Sequence, residues 1–138
     1  MTGTTATAIA IGTITIGELT PSQNVLSRRY RHAHVYRTLR DRFAGWLMVE
    51  MMNQRIPCAT GRRRLEIVRI VRSKRYLLDR GNFVGGCKPL LDAAIRRGLI
   101  KDDREEWLDD HYRQEVDAAR AGRTEIRVSD VAPREAAG

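Results

Sequence analysis

Cysteine is scarce: Cys58 and Cys87 are the only two in 138 residues. Two thiols make no disulfide framework, so both read as free. A reducing, cytoplasmic setting fits. No apolar run is long enough to span a bilayer, so no membrane partner is expected. The opening MTGTTATAIAIGTITIG lacks the basic flank of a secretory leader, and its threonines alternate with alanine and isoleucine; it reads as a strand. Internal repeats and linker-like stretches are absent, which leaves one domain over residues 1–138. Residues 132–138 read as a frayed tail. Acidic residues are rare between Pro21 and Arg75, 3 against 14 Arg and Lys. No helix-turn-helix signal accompanies that excess, which counts against a basic DNA-binding regulator.

What is present is charge, unevenly placed. The net charge is +8. Outside Pro21–Arg75 the balance reverses to 11 basic against 14 acidic residues, and eight of those acids fall between Lys101 and Asp117. A basic half suits phosphates and an acidic cluster suits a cation, the pairing a nuclease needs. A solvated charged surface would have the same composition.

Periodicity divides the chain. Residues from about Thr4 to Ile16 alternate as a strand, and LTPSQN (Leu19–Asn24) is turn chemistry. Val35, Leu39, Phe43, Trp46 and Leu47 predict a helix over Val35–Asn53. RRRLEIVRIVRSKRYLL predicts one strand or two short ones, ending at Asp79. Leu90, Leu91, Ala94 and Ile95 predict a second helix over Asn82–Arg97, stopped by Gly98. Gly85-Gly86 reads as a loose turn leading into its regular part. Strands are expected at Trp107–Val116 and in TEIRVSDV. The order β-α-β-α-β-β gives an α/β (α+β) sandwich: one mixed sheet with two main helices.

The chemistry lies in LLDRGNFVGGCKPLLDAAIRRGLIKDD, Leu77–Asp103. Phosphodiester hydrolysis needs carboxylates for a hard cation and a positive group near the phosphate. Asp79, Lys88 and the pair Asp102 and Asp103 supply both if they converge. Lys88 and Asp92 stand at i and i+4 and can touch on one helix face. Each has a plainer reading: Lys88 and Asp92 as an ordinary helix pair, Lys-Asp-Asp as a polar turn between elements.

The pattern D-x-x-N…K-P-L-L-D-A…G-L-I-x-D-D resembles the RusA family of Holliday junction resolvases and its phage relatives, over most of the chain. TPSQN…RRYRH resembles that family's Pro-Ser-x-Asn loop and basic, aromatic follow-on. The resemblance implies a homodimeric, Mg²⁺-dependent endonuclease (with Mn²⁺ as an alternative ion) that cuts branched, four-way DNA and needs no small-molecule cofactor. By position it implies Asp79 and Asp103 as catalytic metal ligands, Asp102 beside them, Lys88 as the essential lysine, and Asn82 and Asp92 as supports. The family motif is Asp-x-Asp-Asn; here Gly81 replaces the second aspartate, which removes a hard ligand. Water, Asn82 or a substrate phosphate fills that place, or a nearby acid such as Asp102 or Asp109 does, or the protein binds junctions without cutting them.

Arg28, Arg29, Tyr30, Arg31 and His32 suit a DNA backbone and an unstacked base. Arg62, Arg63 and Arg64 form a second basic run, read as a DNA contact or a solubilising hairpin tip. His32, His34, Cys58 and Cys87 match no zinc spacing. Trp46, Met48, Met51 and Met52 read as core or dimer contacts.

Overall fold

The computed structural model describes residues 8–29 and 32–133. The first strand, β1, spans Ile9–Ile16; the part of the expected strand before Ala8 lies outside the described residues, as does the tail from residue 134. The turn-rich stretch after it turns at once into a short helix, α1 (Gln23–Arg29), entered from Ser22, whose hydroxyl accepts the Val25 N–H at 3.1 Å. The long helix α2 spans Ala33–Gln54 and ends on Arg55 in the left-handed region, at φ 55°. A single strand, β2, follows at Arg63–Val71.

Two expectations need correction here. Asp79 does not end a strand. After Val71 the chain makes a 3-10 turn at Lys74–Tyr76, and Asp79 is the N-cap of a helix, α3 (Arg80–Gly86). The single helix expected over Asn82–Arg97 is two, α3 and α4 (Lys88–Arg97), meeting at Cys87. Pro89 sits in the first turn of α4, where its missing N–H has no intrahelical partner to lose. Gly98 closes α4 at φ 78°, as its sequence position predicts.

The last strands, β3 (Leu108–Val116) and β4 (Arg123–Asp130), complete a four-stranded sheet in the order β1-β4-β2-β3. β4 pairs antiparallel with both β1 and β2. β2 and β3 are parallel, with Leu65 opposite Asp110 and Arg69 opposite Gln114. A parallel pair needs a crossover, and α3 with α4 provides it. The architecture is one small α+β domain with a mixed sheet, the class its alternating patterns predict.

Alternation assigns the two sheet faces. Ile14, Ile16, Leu65, Ile67, Ile126 and Val128 are buried in one core with Leu39, Phe43 and Leu47 of α2 and Leu90 and Ala94 of α4. The opposite face carries paired charges: Arg64 with Asp109, and Glu66 with both Arg113 and Arg127. Val68, flanked there in register by Arg113 and Glu125, is buried as well. Of the tryptophan and methionines of α2, Met51 is buried, while Trp46, Met48 and Met52 are exposed.

Candidate functional site

Asp79 is an N-cap whose carboxylate folds back on its own helix. Oδ2 accepts the Asn82 backbone N–H at 3.2 Å, and Oδ1 accepts the Asn82 side-chain amide at 2.6 Å. These bonds, the side-chain one foremost, hold the exposed carboxyl below the usual carboxylate range, so it is ionised at neutral pH. The one side-chain oxygen of Asn82 turns elsewhere: Oδ1 accepts the Asn24 backbone N–H at 3.2 Å. The early TPSQN stretch and the Asp79–Asn82 motif, 58 residues apart, therefore meet at one point. α1 rests on α3 there, and the approach explains two glycines. A Cβ on Gly86 would fall inside the Pro21 carbonyl oxygen, and one on Gly85 would strike the Gln23 side chain. Gly85-Gly86 is thus no loose turn before a helix. It is the last turn of α3, kept bare so that the Pro21–Gln23 backbone can lie against it.

The residue before Asp79 is fixed from the sheet. Gln114 of β3 accepts the Leu78 N–H at 2.9 Å and donates its amide to the Leu78 carbonyl at 2.7 Å. One side chain thus stands in for a strand partner and sets where α3 begins. An alternating strand makes Gln114 read as an ordinary polar position, so nothing in the sequence marks this role.

Gly81 lies in the first turn of α3, not on a strand. A Cβ there would stand 3.6 Å from Asp79 Oδ2 and meet nothing else within 4 Å. An aspartate would fit, and its side chain would leave the helix beside that of Asp79.

Lys88 and Asp92 face each other as their spacing predicts, in an open ion pair with Nζ 3.8 Å from Oδ1. Asp92 also accepts the Tyr36 hydroxyl at 2.6 Å, through Oδ2. Tyr36, on α2, carries no sequence signal for this contact beyond its helical position. Burial and the Asp92 carboxylate push its pKa well above the ordinary phenol value.

Asp102 and Asp103 lie in a loop, five residues ahead of β3, and do not begin that strand as expected. Asp102 accepts the Asp103 N–H at 2.8 Å and pairs with Arg104 at 2.7 Å, which hold its carboxyl below the usual range. Asp79 lies beside the closing residues of β3, through Leu78 and Gln114. About 20 Å of extended strand separates Leu108 from Gln114. Among the described residues no group of three or more His, Cys, Asp or Glu side chains is placed to hold a metal ion. The donor chemistry of Asp79, Asp102 and Asp103 suits a hard cation, but the three are not gathered around one place. Asp109, a candidate substitute for the missing ligand, sits on the other face of the sheet, tied to Arg64 at 2.7 Å. Asp110 faces the helices and accepts the Tyr112 hydroxyl at 2.6 Å.

The basic runs fare differently. Arg28 and Arg29 are exposed in the last turn of α1, and His32, just before α2, stacks on His34 at 6.1 Å between ring centroids. Tyr30 and Arg31 lie outside the described residues. The run at Arg62–Arg64 is not a basic hairpin tip. Arg62 donates to the Glu105 carbonyl at 2.9 Å, and Arg64 pairs with Asp109. Arg63 is 2% exposed, bound to Asp130 at 3.0 Å and to the Leu99 carbonyl at 2.9 Å. A guanidinium so enclosed is structural and offers nothing to DNA.

Neither the known protein-family models nor the curated proteins contain a match to this chain.

Proposed function

We propose that this chain is a metal-dependent endodeoxyribonuclease of the RusA type that cuts branched DNA, four-way junctions above all, by phosphodiester hydrolysis. The observation that carries the reading is the bond from Asn24 to Asn82. The two motifs behind the family resemblance lie far apart in sequence, yet they join at Asp79, which is exposed and ionised. Around it the chain offers what the chemistry asks for. Asp79 presents hard oxygen atoms, with Asp103 and Asp102 as the partners the motif names. Lys88 brings an exposed ammonium for the scissile phosphate. Arg28 and Arg29 ride on α1, which is mounted on the helix that Asp79 caps, and would hold the flanking backbone. Mg²⁺, or Mn²⁺ in its place, would polarise the phosphoryl oxygen and furnish the hydroxide. Paired symmetric cuts need two sites, so the working unit would be a C2 homodimer.

A second reading is favoured by a specific observation. Gly81 leaves Asp79 without its motif partner, and no three acids cluster among the described residues. On that reading the protein binds junctions through the same basic surface and does not cut them. Cleavage of a four-way junction by the wild type separates the two, and Asp103→Asn tests the site. The nuclease reading expects a loss of cleavage of at least about a hundredfold, with junction affinity near that of the wild type. Cleavage unchanged in Asp103→Asn removes Asp103 from the active site and sinks the assignment.

A further inference from the structure

Asp92 serves two partners at unequal reach. The Tyr36 hydroxyl donates to Oδ2 at 2.6 Å, whereas Lys88 Nζ stays 3.8 Å from Oδ1, beyond hydrogen-bond length. On charge alone an ammonium should outcompete a neutral phenol for a carboxylate. Geometry reverses the order. Tyr36 has a stiff ring and is held where α2 packs on α4; the Lys88 side chain is 66% exposed on a flexible stem. Arg40, one turn further along α2, is the other charge acting on Tyr36. With its pKa raised by burial and by Asp92, the hydroxyl keeps its proton and remains a donor across the working pH range.

We propose that Tyr36 is a positioning residue: by occupying Oδ2 of Asp92 it holds that carboxylate short of a closed ion pair with Lys88, and so keeps the ammonium available to a DNA phosphate. The inference rests on the reading of Lys88 as the phosphate-facing cation, and a single spectroscopic experiment tests the two separately. The chain has three lysines, Lys74, Lys88 and Lys101, so ¹³C-lysine labelling gives a side-chain spectrum in which Lys88 is assigned by one substitution.

In the free protein, Tyr36→Phe releases Asp92 onto Lys88, and the Lys88 side-chain signal shifts while those of Lys74 and Lys101 stay in place. In the Asp92→Asn background the same change leaves Lys88 unmoved. A Lys88 signal that stays put in Tyr36→Phe, or shifts equally in both backgrounds, overturns the positioning role. A packing role alone would lower the melting temperature without this pattern. The second arm adds a synthetic four-way junction to the wild type in a metal chelator. The Lys88 signal is expected to move more than those of Lys74 and Lys101. If it does not, Lys88 does not face phosphate and the proposal loses its purpose, whatever the first arm shows.

Discussion

At the scale of single residues, ionisation follows from hydrogen bonding and burial. Asp79, Asp102 and Asp109 all have carboxyls held below the usual range: Asp79 by the Asn82 amide, Asp102 by the Asp103 N–H and then Arg104. For Asp109, partial burial acts the other way but is overridden by Arg64 and His111. A group with a depressed folded pKa supports the fold above its unfolded value, about 4, and loses that support as pH falls through the folded one. Cys87 behaves oppositely. Burial pushes its thiol from an ordinary 9.0 up to about 12, so its contribution is whole below pH 9.0 and lost as pH rises towards 12. Tyr36 and Tyr112, also raised, add to that alkaline loss. Thermal melts should therefore be flat from about pH 5 to 8, and fall below about pH 4 and above about pH 9. A fall centred between about pH 6 and 7 would instead point to histidine control. Among the candidate residues, the pairs Asp79 with Asn82 and Lys88 with Asp92 were legible because their spacing is local. Their partners Asn24, Tyr36 and Gln114 were not marked as such, since each arrives from another element by tertiary packing and sequence spacing does not encode that.

At the scale of elements, the sharpest constraint is the contact of α1 with α3. Gly86 admits the Pro21 carbonyl, so Gly86→Ala forces two backbones apart. The expected cost is about 1–3 kcal/mol, the range for overpacking a closed site. It should appear as a lowered melting temperature together with weakened junction binding, because α1 carries Arg28 and Arg29. A Gly86→Ala protein as stable as the wild type would mean that α1 is not seated on α3 as described. Strands and the long helix were readable because period 2 and period 3.6 are strong signals over eight or more residues. α1 was hidden because Pro21, Ser22 and Asn24 read as a turn, and a seven-residue helix has little propensity of its own without a neighbour. The break at Cys87 was hidden because the apolar positions run on from α3 into α4. Arg63 looked like surface because arginine usually is; its burial depends on Asp130 and Leu99, 67 and 36 residues away.

At the scale of the whole molecule, the sheet divides the labour. One face buries the core under the helices, and the other is a lattice of paired arginines and carboxylates. Much of the charge counted from the sequence is thus paired on the sheet, while Arg28 and Arg29 stay exposed on α1. The parallel crossover also separates the acids, placing Asp79 by the closing residues of β3 and Asp102 with Asp103 ahead of its start. The central claim is that these parts form a junction nuclease despite Gly81. The most direct measurement is cleavage of a labelled synthetic four-way junction in Mg²⁺ and in Mn²⁺, by the wild type and by Gly81→Asp. Paired symmetric nicks from the wild type, made faster by Gly81→Asp, are the predicted result. A wild type and a Gly81→Asp variant that both bind the junction and both leave it uncut in either metal would contradict the account.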